Sequence, residues 1–357
     1  MSADPTKLTV AKTIRLKSIG LCIARLPQSE RLFVGSSDFK VYEINLANEN
    51  PEPIEFQGDG HQSYVTGAAM AGQQLVTGGY DGRLIWWDLE QRLAKRNVAA
   101  HDRWIRKVVA SPDGKWIASV ADDMLCKIWD ADSGNLIHTL VEHKPQTPHH
   151  FPSMLYAVAF SADGQFLATA DKVGHMAVWE TTSGKKLAEL EAPLMYTWDP
   201  KQRRHSIGGI RSLSFSHDGR NLAAGGIGTI GNIDHLDGPS RVEIFEWRTQ
   251  QRVQEISDTS FKGLVEQIAF PSAGNWFVFA GGDNGGFVSF YDAGNGKMIH
   301  QSKVPMHVHS FILNEAEDTL YAAGHDQLVV VSFKAVPLAV PPGEEPKAEA
   351  AAATDIK

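Results

Sequence analysis

One strand, turn and strand pattern recurs along this chain and constrains its fold more than any other feature. The pattern is clearest at 74–88, which reads Q-L-V-T-G-G-Y-D-G-R-L-I-W-W-D, and at 116–130, which reads W-I-A-S-V-A-D-D-M-L-C-K-I-W-D. In both stretches an aspartate, Asp81 or Asp123, lies six residues before the tryptophan of a Trp-Asp pair. A repeat of fixed period indicates a fold assembled from similar units.

Five weaker copies bring the number of repeats to seven, with a basic period of about 42 residues and extra residues inserted in the middle copies. Within a copy, apolar and polar residues alternate, as from Ile210 to Phe215, and the turn Ser-His-Asp-Gly follows at 216–219. A period of two indicates β-strands. Each copy is therefore predicted to contain about four antiparallel strands joined by short turns. The weaker copies are at 32–45, 166–180, 221–246, 276–292 and 320–333.

These residues resemble the WD-repeat family of β-propellers over roughly residues 8 to 334. In that family a histidine, a serine or threonine, the turn aspartate and the tryptophan form a hydrogen-bonded chain across each blade. Two copies match at all four positions, namely His61, Thr77, Asp81 and Trp87, and His101, Ser119, Asp123 and Trp129. The resemblance implies an all-β fold, a seven-bladed β-propeller of four-stranded antiparallel blades.

Several copies depart from the family pattern: Phe245 and Tyr291 replace the tryptophan in two copies, and the first and last copies have Ile44 and Ser332 there. In the fourth copy Val173 stands where the turn aspartate is expected. A further Trp-Asp pair, Trp198 and Asp199, has no strand pattern before it and is interpreted as part of a loop.

The sequence also predicts how the chain is divided and closed. Residues 1–7 form an N-terminal extension, residues 8–336 the propeller, and residues 337–357, rich in Pro, Ala and Glu, a disordered tail. An open ring would leave a sheet edge unpaired. The alternating segment 8–16 is therefore predicted to supply the outer strand of the seventh blade, and thus to close the ring.

Composition excludes several classes of function. The net charge of −8 opposes binding to nucleic acid, which needs clustered Lys and Arg. No apolar run reaches the length of a signal peptide or a membrane span, so we expect a cytoplasmic protein without membrane contact. The two cysteines, Cys22 and Cys126, are too few for a disulfide framework or a thiolate metal site.

The resemblance implies a non-enzymatic scaffold that binds another protein or a peptide on one face of the propeller, called the top. Insertions at 143–153, 193–208 and 227–240 all map to the top of neighbouring blades. Family positions that ring the top opening include Thr66 and Glu266. The residues predicted to contact the partner are Tyr64, Tyr80, Trp104, Arg106, Met154, Tyr156, Arg211 and His309, a set rich in the Tyr, Trp and Arg side chains that dominate interface energetics.

Three other functions are weighed against this one. An enzyme lacks support because no nucleophile elbow, phosphate-binding loop or two-histidine zinc helix is present. Top loops rich in histidine, including the alternating His307 and His309, could hold a small ligand or metal, but without a recognised ligand spacing we predict no metal site and no cofactor. A structural subunit would dock through blade sides. The best candidate strand, 136–141, has apolar residues on both faces, which predicts packing between blades.

Overall fold

The computed structural model describes residues 3–201, 204–231 and 236–335 of the 357-residue chain. These residues form thirty strands and two one-turn 3-10 helices, Pro5–Lys7 and Pro193–Met195. No helix within the described ranges is long and apolar enough to cross a membrane. The predicted tail, 337–357, lies outside the described residues.

Seven four-stranded antiparallel sheets form the blades, and each takes its strands consecutively along the chain except the last. Blade one consists of β2 (Gly20–Arg25), β3 (Arg31–Ser36), β4 (Val41–Asn45) and β5 (Ile54–Glu55). Blade two consists of β6 (Val65–Ala71), β7 (Gln74–Gly79), β8 (Arg83–Asp88) and β9 (Leu93–Ala99). Blade three consists of β10 (Ile105–Ala110), β11 (Trp116–Ala121), β12 (Leu125–Asp130) and β13 (Leu136–Val141). Blade four consists of β14 (Leu155–Phe160), β15 (Phe166–Asp171), β16 (His175–Glu180) and β17 (Lys186–Glu191). Blade five consists of β20 (Ile210–Phe215), β21 (Asn221–Ile227), β22 (Pro239–Glu246) and β23 (Gln251–Lys262).

Blades six and seven complete the ring. Blade six consists of β24 (Leu264–Ala269), β25 (Trp276–Gly282), β26 (Gly286–Asp292) and β27 (Met298–Val304). Blade seven consists of β28 (Val308–Leu313), β29 (Thr319–Gly324), β30 (Gln327–Ser332) and β1 (Thr9–Arg15). The seven sequence copies coincide with the second and third strands of the seven blades. The predicted seven-bladed propeller is therefore confirmed.

The apolar core lies between adjacent blades, because neighbouring residues of one strand face opposite blades. On β7, Leu75 packs with Phe33 of blade one, whereas Val76 packs with Ile105 of blade three. All four side chains are fully buried. Burial of one such side chain contributes about 1.5–3 kcal/mol. For this reason the inner strands carry apolar side chains on both of their faces.

The ring closes where the sequence predicts it. Strand β1 pairs antiparallel with β30, from Thr9 opposite Ser332 to Arg15 opposite Gln327. Ile14 and Leu16 are buried at this seam. The residues before β1 also contact blade seven, since the backbone N–H of Asp4 donates to the carbonyl of Phe333 at 2.8 Å. The prediction that an N-terminal strand closes the propeller is confirmed.

Two local predictions are wrong. Trp198 and Asp199 lie in a strand, β18 (Tyr196–Asp199), which pairs with β19 (His205–Gly208) in a separate hairpin between blades four and five. Strand β13 is not packed on both faces: Leu140 is buried, but Val141 is 67% exposed. Blades diverge with distance from the channel, so the side chains of an outer strand are covered less by the adjacent blades.

Candidate functional site

Hydrogen-bonded chains stiffen the blades that carry the site. In blade two, His61 Nδ1 lies 3.0 Å from Asp81 Oδ1 and His61 Nε2 lies 2.8 Å from the Thr77 hydroxyl. Trp87 Nε1 donates to the same hydroxyl at 2.8 Å. These hydrogen bonds hold the loop that carries His61, between blades one and two, against the turn that carries Asp81. Both residues therefore lie on one side of the propeller.

Blade three repeats this arrangement with a serine in place of the threonine. His101 Nδ1 lies 2.9 Å from Asp123 Oδ2, and His101 Nε2 lies 2.8 Å from the Ser119 hydroxyl. Trp129 Nε1 donates to Ser119 at 2.9 Å. Burial alone would raise the pKa of Asp123, but the contact with His101 holds that pKa below its usual value. The carboxylate is therefore charged and acts as an acceptor for the imidazole.

Blade four has a third chain that sequence reasoning missed. His143 Nδ1 lies 2.9 Å from Asp171 Oδ2 and His143 Nε2 lies 2.8 Å from the Thr169 hydroxyl, to which Trp179 Nε1 donates at 3.1 Å. Asp171 thus replaces the aspartate expected at Val173. One signal was present: the hydroxyl residue precedes the tryptophan by ten positions here, as it does in blades two and three.

A ring of β-bulges surrounds the top of the central channel. In every blade, the pairing of the first strand with the second skips one residue near the start of the first strand. A bulge re-aims the side chain of the unpaired residue. The seven bulge residues are Leu21, Thr66, Arg106, Tyr156, Arg211, Glu266 and His309, and all seven line one cavity of about 290 Å³.

Charge is unevenly distributed around this bulge ring. Arg106 and Arg211 project from blades three and five on either side of Tyr156, whereas Glu266 and His309 project from blades six and seven. The guanidinium of Arg211 lies 3.6 Å from the centre of the Tyr156 ring, and that of Arg106 lies 5.3 Å from it. One half of the mouth is therefore cationic and aromatic.

Four neighbouring aromatic rings form a row across blades one to three, and one of them, Tyr80, also lines the channel cavity. Phe39, Tyr64, Tyr80 and Trp104 follow one another at centroid distances of 5.7, 5.6 and 4.5 Å, the last pair being parallel within 3°. Tyr64 is 44% exposed and Trp104 is 50% exposed. We call these four residues the aromatic row.

Arg106 joins the aromatic row to the bulge ring. Its guanidinium donates to both carboxylate oxygens of Asp122, at 2.8 and 2.6 Å, and to the Tyr80 hydroxyl at 2.5 Å. It also lies 5.3 Å from the centre of the Trp104 ring and 3.5 Å from the Met154 sulfur. Bidentate Arg–carboxylate pairs fix geometry as well as charge, so the row is held in place before any partner arrives.

Comparison with known proteins agrees with this architecture. The family model described as "WD domain, G-beta repeat" matches residues 54–88 and 94–130, which include the inner strands of blades two and three. Together with the seven blades, these matches show a propeller that contains WD repeats.

Several named proteins are similar to this WD-repeat chain. Telomerase protein component 1 of Mus musculus is 28% identical over 272 residues, which is 76% of this chain and 9% of that protein. Eukaryotic translation initiation factor 3 subunit I of Candida albicans is 25% identical over 210 residues, 57% of this chain and 52% of that protein. Small ribosomal subunit protein RACK1y of Oryza sativa is 30% identical over 162 residues, 44% of this chain and 45% of that protein. The chain spans about half or less of the length of these relatives.

The structure brings together the partner residues predicted for this WD-repeat propeller, except that His309 lies across the channel from the rest. Tyr64, Tyr80 and Trp104 are in the aromatic row, while Arg106, Tyr156 and Arg211 are in the bulge ring. Met154 lies between these groups, and its sulfur accepts from the Tyr156 hydroxyl at 2.7 Å. Sequence reasoning missed Phe39 and Leu21, whose blade lacks the family's histidine and tryptophan.

Loops inserted into this WD-repeat propeller contact one another beside the cationic half of the mouth. His149 of the first insertion stacks on Trp198 of the second at 4.7 Å, and Phe151 lies 5.1 Å from the same ring. The backbone N–H of Ile230, in the third insertion, donates to the Thr197 hydroxyl at 3.0 Å. The described parts of all three insertions thus form one wall over blades four and five.

Proposed function

We propose that this protein is a non-enzymatic interaction scaffold that binds a protein or peptide partner on the top face of its propeller. The observation that carries the proposal is the aromatic row, which is exposed at Tyr64 and Trp104 and contacts Arg106 of the bulge ring through Tyr80. Exposed aromatic side chains in a contiguous group are typical of interaction sites.

The aromatic row is built to bind with a small loss of conformational freedom. Trp104 is stacked on Tyr80, and both rings are held by Arg106, which is itself paired with Asp122. Side chains that are already ordered lose little entropy on association. Tyr and Trp offer a large area for burial and retain a polar group that can bond to the partner.

The chemistry of the mouth supports an acidic side chain on the partner. Three cations, Arg106, Lys107 and Arg211, line the cavity with one carboxylate, Glu266. A second carboxylate, Asp122, pairs with Arg106, which leaves an excess of positive charge although the whole chain carries a net charge of −8. The Nε atom of Arg211 is buried without a hydrogen-bond partner. A carboxylate from the partner would supply that acceptor and balance the local charge.

The size of the cavity favours a side chain over a whole small-molecule ligand. Its volume of about 290 Å³ is at or below the lower limit of ordinary ligand pockets, about 300–1,000 Å³. Two relatives are, by their names, a subunit of a translation initiation factor and a small ribosomal subunit protein. A role as one component of an assembly fits such similarity. The cytoplasmic location, and the lack of nucleic-acid and membrane contacts, stay predictions.

The proposed top-face site is tested by replacing its most exposed aromatic side chain. We expect Trp104→Ala to weaken partner binding about 30-fold, because a central aromatic anchor contributes about 2 kcal/mol or more. A partner recovered with the intact protein from extract of its source cells is identified by mass spectrometry. Its affinity for both proteins is then measured by calorimetry. Trp104 is half exposed, so the fold is expected to survive the substitution.

The matched control removes exposed apolar side chains from a blade side. Leu136→Ala combined with Ile137→Ala removes two exposed apolar side chains of the outer strand β13, far from the channel, and we expect it to leave the affinity unchanged. If the β13 variant loses the partner and Trp104→Ala retains it, docking occurs through the blade sides and the proposed site is wrong.

A further inference from the structure

Three histidines form a stack beside the channel, on the side opposite the aromatic row. His307 and His309 lie at the start of β28, and their rings are 4.4 Å apart. His325, in the turn after β29, lies 5.4 Å from the first and 5.0 Å from the second. Glu266, in the bulge of blade six, faces this pair. The proposed partner site does not use this stack as a whole.

Two imidazole nitrogens in the stack lack hydrogen-bond partners. The Nε2 atoms of His307 and His309 are both buried and accept or donate no hydrogen bond. Leaving such an atom unsatisfied costs about 1–3 kcal/mol, and most buried polar side-chain atoms avoid it. One nitrogen of each ring also lies within 4.8 Å of a nitrogen of the other ring and of a carboxylate oxygen of Glu266.

The hydrogen bond of His307 Nδ1 determines which tautomer of the imidazole faces Glu266. His307 Nδ1 lies 3.0 Å from the carbonyl oxygen of Asp283, which can only accept, so this nitrogen carries the proton. A neutral ring then directs the lone pair of Nε2 at Glu266 Oε1, 3.4 Å away. Two lone pairs facing each other repel unless a cation lies between them. A histidine held by a backbone carbonyl through its other nitrogen is the usual second contact of a metal ligand.

The distance favours a metal ion over a shared proton. A charged N–H···O bond is normally about 2.7–2.9 Å long, shorter than the 3.4 Å observed. Two ligands of a tetrahedral ion with bonds of about 2.05 Å lie about 3.3 Å apart. The separation of His307 Nε2 from Glu266 Oε1 therefore corresponds to one edge of such a tetrahedron.

We infer that Glu266, His307 and His309 bind a divalent transition-metal ion of the zinc type between blades six and seven. Two imidazoles and one carboxylate form a recognised zinc ligand set, which leaves a fourth position open. Glu266 and His309 also line the channel cavity, so this open position is accessible from the channel. The sequence offered no recognised ligand spacing and predicted no metal site; Glu266 is distant in sequence from the two histidines. The inference does not depend on the proposed partner site.

Zinc titration of the protein tests this inference. Protein purified without a histidine tag is stripped with a chelator, and Zn²⁺ is added during calorimetry. We expect one equivalent of Zn²⁺ to bind tightly, and Co²⁺ in its place to give the visible absorption bands of a tetrahedral site. His309→Ala and Glu266→Gln should each weaken binding by more than about tenfold, since even loss of a second contact costs 10–100-fold.

A second group of acidic and histidine side chains provides the control. Glu142, His175 and Glu189 also lie within 4.8 Å of one another, but Lys186 already occupies the two carboxylates. We expect His175→Ala to bind one equivalent of Zn²⁺ as the intact protein does. Absence of tight binding by the intact protein, or retention of full affinity by both His309→Ala and Glu266→Gln, would overturn the inference. Circular dichroism verifies that each variant is folded.

Discussion

Removing residues 1–16 is expected to lower the melting temperature by about 10 °C or more. The deletion takes away β1 and, with it, the buried side chains of Ile14 and Leu16, each worth about 2 kcal/mol. The hydrogen-bonded pairing with β30 is lost as well. A total loss of about 7 kcal/mol corresponds to a shift of this size in a domain of several hundred residues. Differential scanning calorimetry measures it.

The same deletion is expected to cause self-association. Without β1, strand β30 becomes an open edge that presents the run Val329–Val331. Exposed edges with apolar side chains pair with other chains. Size-exclusion chromatography should therefore show dimers or larger species that the full chain does not form.

The control for the deletion keeps the strand and changes only its exposed side chains. Thr9→Ser combined with Thr13→Ser leaves the main-chain ladder and Ile14 in place, and exposed substitutions usually change stability by less than about 0.5 kcal/mol. We expect this variant to melt like the intact protein and to stay monomeric if the latter does. An unchanged melting temperature after deletion of 1–16 would show that β1 does not secure the ring.

The sequence predicted the blades because each blade repeats the same local pattern. Turns such as that at 216–219, and the alternation in each strand, depend on neighbouring residues, so they can be recognised without knowledge of the rest of the chain. The seam could be predicted too, because an N-terminal alternating segment had no copy of its own and the last copy lacked an outer strand.

Features that depend on distant partners were less visible. Strand β18 is stabilised by pairing with β19 and by the stacking of His149 on Trp198, and neither contact is apparent from the residues before Trp198. The positions in the bulge ring came from family resemblance. Their physical cause, an unpaired residue in each first strand, leaves no mark in the alternation of apolar residues. Glu266 meets His307 only because blades six and seven are adjacent.

The hydrogen-bonded chain of blade four shows what the sequence contained but did not reveal. The family pattern places the turn aspartate at a fixed distance before the tryptophan, where Val173 stands. Asp171 reaches the same imidazole from two residues earlier, and its other oxygen accepts from the backbone N–H groups of Val173 and His175. The geometry of the chain is thus kept by the hydroxyl, Thr169, rather than by the position of the acid.

Replacement of that hydroxyl is the second large effect we expect. Asp171 can only accept from His143 Nδ1, so His143 Nε2 accepts from the Thr169 hydroxyl, which in turn accepts from Trp179 Nε1. Thr169→Val keeps the shape of the side chain but leaves the indole N–H and the imidazole nitrogen without partners in a buried site. Each unsatisfied group costs about 1–3 kcal/mol. We expect a loss of about 3 kcal/mol in the free energy of unfolding, measured with urea.

Thr169→Ser is the matched control, because it retains the hydroxyl and removes only a methyl group. Blade three already uses Ser119 in the equivalent position, with the same 2.8 Å contact to its histidine. We expect the serine variant to lose about 1 kcal/mol, the usual effect of deleting one buried methyl group. Equal stability of the valine and serine variants would mean that packing of the methyl group, and not the hydrogen-bonded chain, stabilises this blade. A larger loss for valine would instead show that the hydrogen-bonded chain stabilises blade four.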